Sequence, residues 1–155
     1  MTQCSAAHET FVIERTFDAP VAQVFETWAD PKRKARWFAG SVEALGAGYD
    51  LDFRVGGREV NRGGPPGGPV FTYESRFCDI VPERRIVYTY EMYADEARIS
   101  VSVATVEFRS VGATTRLVLT EQGVFFHGHD TPAQREEGTR SLLESLAASL
   151  RGDAS

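Results

Sequence analysis

The chain has 155 residues, 42% of them hydrophobic and 25% charged, which suits one globular domain and excludes a disordered chain. Its formal net charge is −5 with no long run of Lys or Arg, which argues against a protein that tracks nucleic-acid phosphates or an anionic membrane surface. No apolar stretch approaches the ~18 residues of a spanning helix, and the polar segment from Met1 to Thr10 lacks an apolar signal core, so the expected compartment is the cytoplasm.

Phe11 to Phe17 mixes apolar residues with Thr, Glu and Arg and reads as a strand. Asp18-Ala19-Pro20 opens a helix, with Pro20 suited to its first position. Val21, Val24, Phe25 and Trp28 recur at i, i+3, i+4 and i+7 and make one apolar face. Asp30 and Pro31 then cap and begin a second short helix that ends near Trp37-Phe38. Its basic cluster of Lys32, Arg33, Lys34 and Arg36 reads as a solvated face.

From Val42 the pattern becomes β. Leu51, Phe53 and Val55 alternate with Asp50, Asp52 and Arg54, and Gly56-Gly57 reads as a tight hairpin turn. Gly63 to Pro69 is too rich in Gly and Pro for a central strand and reads as a loose connection. Phe71, Tyr73, Ser75 and Phe77 form one strand face, and Ile86, Tyr88, Tyr90 and Met92 form the next after a turn at Val81 to Arg84. Arg98 to Phe108 is a long strand. Its apolar phase shifts from Ile99, Val101 and Val103 to Ala104, Val106 and Phe108, which implies a bulge or bend. Gly112-Ala113 turns into a strand from Thr114 to Gln122 with Leu117 and Leu119 on one face. Thr131-Pro132-Ala133-Gln134 has the form of a capping box. The helix it opens carries a stripe of Thr139, Leu142, Leu143, Leu146 and Leu150, with Gly152 following its end.

Motifs with chemistry of their own are few. Cys4 in the polar tail and Cys78 in an apolar run read as a free thiol and a small buried hydrophobe. His127-Gly128-His129-Asp130 is the densest group of metal-ligand types, but no third or fourth ligand stands at a diagnostic spacing, so no metal is expected. The Gly/Pro stretch from Gly56 to Pro69 lacks a Gly-Lys-Ser/Thr ending and a following helix, so it is not a phosphate loop and no cofactor is expected. No Gly-x-Ser-x-Gly elbow occurs.

The order is strand, two short helices, about seven antiparallel strands in all, then a long helix. It implies an α+β domain from Thr10 to Arg151, behind a polar tail of residues 1–9, in which a curved sheet wraps the last helix.

Phe17-x-Ala19-Pro20-x-x-x-Val24-Phe25-x-x-Trp28-x-Asp30-Pro31, followed by Arg36-Trp37-Phe38, resembles the opening of the SRPBCC (START-like, helix-grip) superfamily. More narrowly it resembles the branch named for the C-terminal domain of the activator of heat-shock-protein ATPase. Asp79-Ile80-Val81-Pro82-x-x-Arg85-Ile86-Val87-Tyr88-Thr89-Tyr90, Thr115-Arg116-Leu117-x-Leu119-Thr120 and Arg135-Glu136-x-Gly138 continue the likeness in order. Many relatives carry Trp after the glycine of the last helix, where this chain has Thr139.

The resemblance implies a hydrophobic cavity between sheet and long helix, with uses that include lipid or hormone binding, polyketide cyclisation and co-chaperone contact. Fold does not choose among them. The first reading is a module binding a small hydrophobic or aromatic ligand. Its expected lining is Trp37, Phe38, Phe53, Phe71, Tyr73, Tyr88, Tyr90, Met92, Phe125 and Phe126, with Leu142 and Leu146 from the helix and His127 and His129 as polar residues at the mouth. A Tyr90 hydroxyl pointing into the cavity would make Tyr90→Phe a change in affinity more than in folding. The second reading is a cyclase- or dehydratase-type enzyme on a polyketide-like substrate. Its acid–base candidates are His127, His129, Glu74, Glu91, Tyr90 and Arg76, although strand alternation turns Glu74 and Glu91 toward solvent. The third is a chaperone-associated interaction module, or a homodimer joined at a strand edge.

Overall fold

The computed structural model describes residues 5–126 and 130–153. Its elements are β1 (Ala6–Phe17), α1 (Val21–Ala29), α2 (Pro31–Phe38), a 3₁₀ turn (Val42–Ala44), β2 (Tyr49–Leu51), β3 (Arg58–Gly63), β4 (Phe71–Val81), β5 (Arg85–Ala94), β6 (Ala97–Val111), β7 (Thr114–Phe126) and α3 (Pro132–Asp153). All seven strands join one antiparallel sheet in the order β1-β7-β6-β5-β4-β3-β2. The sheet curves around α3, with α1 and α2 packed beside it: the expected α+β helix-grip fold. β1 starts at Ala6, inside the segment expected as a tail, because residues 6–9 pair with the end of β7.

Local chemistry sets the helix starts. Asp30 accepts from the Arg33 N–H, and Pro31 fills the first position of α2. Pro20 stands one place earlier than expected, capping α1 from an extended conformation. Thr131 and Gln134 close the capping box reciprocally, at 3.0 and 3.1 Å. The inward faces of α1, β1, β6, β7 and α3 supply the core, with Phe17, Val24, Val106, Leu117, Leu143 and Leu146 all buried. Side chains also tie distant elements together: Thr115 Oγ1 donates to the Ala19 carbonyl at 2.8 Å, and Arg15 of β1 pairs with Glu144 of α3. Among the described residues no helix is long and apolar enough to cross a membrane.

Four details depart from the sequence reading. The strand expected through Phe53 and Val55 stops at Leu51. The chain leaves the sheet at Asp52, and Gly57 is pressed so closely on the Asp52 carbonyl that a Cβ there would lie 2.1 Å from it. The turn docks on β4 through the Gly56 N–H to Phe77 and the Phe77 N–H to Gly57. The long strand does not break phase between Val103 and Ala104. Ser100 and Ser102 share the inner face with Ala104, Val106 and Phe108, Val101 and Val103 belong to the outer face, and the irregularity falls opposite Met92/Tyr93, where Ile99 is the extra residue. Cys78 is exposed, not buried, because a bulge between Phe77 and Asp79 turns it outward. Lys34, expected in solvent, is buried.

Candidate functional site

Strand alternation and the helical period bring side chains from seven elements to one space. A cavity of about 250 Å³ lies between the concave face of the sheet and α3. From the sequence-predicted set it is lined by Trp37, Phe38, Tyr73, Tyr88, Tyr90, Met92 and Leu142. Five expected residues lie elsewhere. Phe53, outside the sheet, packs edge-on against Phe25 and Phe77 at 5.8 and 5.1 Å. Phe71 is at the far end of β4 and lines a neighbouring pocket of about 290 Å³. Phe125 lies under the Arg135 guanidinium, 5.0 Å from its carbon, and Phe126 is beside Arg98. Leu146 is one turn too deep along α3 and fills the core. His127 and His129 lie outside the described residues, as does Cys4. Glu74 and Glu91 sit opposite each other on the outer face and Arg76 is exposed, so none of the three reaches the cavity.

The sequence reading missed the polar end of the cavity. Glu121, Arg135, Asn61, Gly138 and Thr139 line it, together with Trp28, Leu119 and Leu143. Glu121 is 3% exposed and accepts a hydrogen bond from the Tyr90 hydroxyl. The Tyr90 oxygen accepts from Arg135 Nη1 at 3.0 Å. Arg135 also donates to Ser100 Oγ and to Asp130 Oδ2, both at 2.8 Å, so its charge is matched by Asp130. Burial pushes the Glu121 carboxyl above the usual carboxylate range, opposed by the Tyr90 hydrogen bond and the Arg135 charge. Burial first, and then nearby carboxylates, push the hydroxyls of Tyr73, Tyr88 and Tyr90 upward, so all three stay protonated. The signal for Glu121 was its phase: Leu117, Leu119 and Glu121 are spaced by two and share a face. Arg135 precedes Thr139 and Leu142 by four and seven residues on the same helix stripe.

A second polar group holds the opposite wall. Lys34 Nζ lies 3.0 Å from Glu59 Oε2, and the Tyr49 hydroxyl donates to the same oxygen at 2.5 Å. Lys34 is 2% exposed and Glu59 1%. The ammonium sits 4.9, 5.3 and 4.5 Å from the ring centres of Trp28, Trp37 and Phe38. Burial lowers the Lys34 pKa, and Glu59 opposes that shift. Trp37 Nε1 donates to the Thr27 carbonyl at 2.9 Å. These contacts pin α2 over β3 and fix Trp37 and Phe38 as one wall. Trp28 Nε1 and Ser102 Oγ are buried without a partner among the described residues. No group of three or more metal-ligand side chains occurs among the described residues.

Comparisons with known proteins agree with this architecture. The chain is similar to Mll3558 from Rhizobium loti, 46% identical over 94% of this chain and 99% of that one, with a TM-score of 0.87. It is also similar to a protein from Rhizobium leguminosarum, 43% identical over 95% and 97% of the two chains, TM-score 0.89. DynU16, from the dynemicin biosynthetic locus, shares the fold at 18% identity over 92% of this chain and 47% of that one, TM-score 0.65. Among curated proteins nothing matches the chain. The model of the family described as Activator of Hsp90 ATPase homolog 1-like protein matches residues 18–151, from the approach to α1 to the last turn of α3. A match of that extent, on a seven-stranded sheet closed around its C-terminal helix, means that the chain belongs to this family.

Proposed function

We propose that the protein binds a small hydrophobic or aromatic molecule in the cavity between the sheet and α3. The observation that carries this reading is the cavity itself: about 250 Å³ of space walled by Trp, Tyr, Phe, Met and Leu side chains, with a polar group at one end. That volume is slightly below the ~300–1,000 Å³ of pockets for drug-sized ligands, which suits one ring or two fused rings. Aromatic walls offer large contact area at low entropic cost, and a few convergent polar atoms orient the guest.

Thr139 supplies the test. It lines the cavity beside Gly138, where the resemblance implies Trp in many relatives, so the smaller side chain leaves room that an indole would fill. Thermal unfolding against a panel of one- and two-ring aromatic compounds should give a ligand that raises the midpoint. At ~100 times its Kd such a ligand contributes about 2.7 kcal/mol, or about 5–10 °C for a domain of this size. Thr139→Trp should abolish that rise. A panel without effect, or a variant that responds like the wild type, refutes the reading.

Glu121 favours a second reading, an enzyme of the cyclase or dehydratase type acting on the bound molecule. A buried carboxyl with a raised pKa, hydrogen-bonded to a tyrosine, is suited to acid–base work. Incubating each stabilising compound with the protein and following its consumption tests this; unchanged compounds refute it.

A further inference from the structure

The ligand class can be narrowed from the direction of the hydrogen bonds at the polar end, given the cavity-binding reading above. Arg135 has only donors, so the Tyr90 oxygen must accept from Nη1 and the single Tyr90 hydrogen turns to Glu121 Oε1. Oε1 is therefore an acceptor in either ionisation state. Glu121 lines the cavity, and the hydrogen bond it accepts from Tyr90 falls on Oε1, which leaves Oε2 for a ligand. A proton on Glu121 thus belongs on Oε2. The chain runs from Arg135 through Tyr90 to Glu121, and its next member is an acceptor on the ligand.

The surroundings favour that protonated arrangement. The Arg135 charge already has Asp130 as its counter-ion at 2.8 Å. An ionised Glu121 would be a second carboxylate beside a single guanidinium, and burial opposes it more than the Tyr90 hydrogen bond and the Arg135 charge favour it. From β5 the groups facing the carboxyl are Tyr88 and Tyr90, and from α3 it is Arg135, with Asp130 behind it. Opposite Glu121 on β1 and β6 stand Phe11 and Ala104, which carry no charge.

We propose that the cavity selects aromatic ligands bearing a carbonyl oxygen, a ketone or ring carbonyl, and that Glu121 Oε2–H donates a hydrogen bond to that oxygen. The arrangement is a polarised donor: Arg135 draws on Tyr90, and Tyr90 draws on the carboxyl, which strengthens the last bond of the chain.

Three matched probes test it: 2-acetylnaphthalene with the acceptor, 2-ethylnaphthalene without it, and 2-naphthol as a donor. Their Kd values would be measured from pH 5 upward on the full chain and on Glu121→Gln. The ketone should bind about three- to tenfold more tightly than the ethyl compound at low pH. That advantage should fade as pH rises through the Glu121 pKa. The carboxamide of Glu121→Gln can accept from Tyr90 and donate to the ketone at every pH, so this variant should keep the preference and lose its pH dependence. Equal affinity for the acetyl and ethyl probes overturns the inference and leaves the cavity reading standing. A preference for 2-naphthol that grows with pH, or a pH dependence that persists in Glu121→Gln, overturns it too. If no probe binds, the cavity reading falls with it.

Discussion

Lys34→Met is the most informative single change outside the cavity. It keeps a side chain of similar shape among Trp28, Trp37 and Phe38 but removes the charge facing Glu59. At the observed 3.0 Å, an effective dielectric of ~20 gives an attraction of ~5–6 kcal/mol. Desolvating the two ions costs several kcal/mol each, so the intact pair adds little net stability. Removing only the lysine leaves Glu59 buried with the Tyr49 hydroxyl as its remaining hydrogen-bond donor among the described residues. The expected cost is about 3–5 kcal/mol, a fall of about 6–20 °C in Tm for a domain of this size. Glu59→Leu should also destabilise, by stranding the ammonium. The double variant Lys34→Met/Glu59→Leu should recover most of the loss, since two apolar side chains leave no unpaired charge. Urea unfolding of all three variants and the wild type gives the coupling energy directly. A coupling below ~1 kcal/mol, or a double variant less stable than either single one, would refute the reasoning.

Tyr90→Phe strips the hydroxyl that serves both Glu121 and Arg135, leaving a buried acceptor and a donor unmatched. It should cost about 1–3 kcal/mol in urea unfolding as well as weakening ligand binding; a variant with unchanged stability would mean the hydroxyl is not held as described. Stability against pH should carry the signature of Glu121. Its folded pKa is raised, so the folded protein keeps a proton that the unfolded chain has already lost. That contribution is complete below the ordinary carboxylate pKa and is lost as pH rises through the folded value. The stability of the wild type relative to Glu121→Gln should therefore fall over that window; a wild type that gains on the variant as pH rises has the wrong sign for a raised carboxyl.

Periodicity carried most of the fold. The strand faces at Phe71 to Phe77 and Ile86 to Met92, the two short helices and the capped last helix are local patterns, and the sheet follows from their order. Local patterns failed where a distant contact decided the outcome. Phe53 leaves the sheet because the Gly57 turn docks on Phe77 of β4, and Cys78 turns outward at a bulge that only pairing with β5 defines. The aromatic part of the cavity was legible because aromatics at alternating positions must face the core. The polar part was overlooked for a chemical reason. Lys34 stands three residues before Trp37, Glu121 two after Leu119, and Arg135 four before Thr139. Each therefore shares an inward face, yet a charged residue type argues for solvent until its partner is known. The partners, Glu59, Tyr90 and Asp130, lie on other elements or turns and become visible only in three dimensions.

The strand order also constrains how the chain assembles. β2 to β7 form a run of sequential neighbours, so each can zip onto the one before it as the ribosome releases it. β1 is different: its partner is the last strand, and the Glu14–Arg116 contact alone spans 102 residues. β1 therefore cannot pair until β7 has been made, and Phe11, Ile13 and Phe17 reach their buried positions only through that long-range pairing. Closure entropy of that long loop makes β1 docking the natural slow step. The same event sets the floor beneath α3, since Arg15 of β1 is what Glu144 grips.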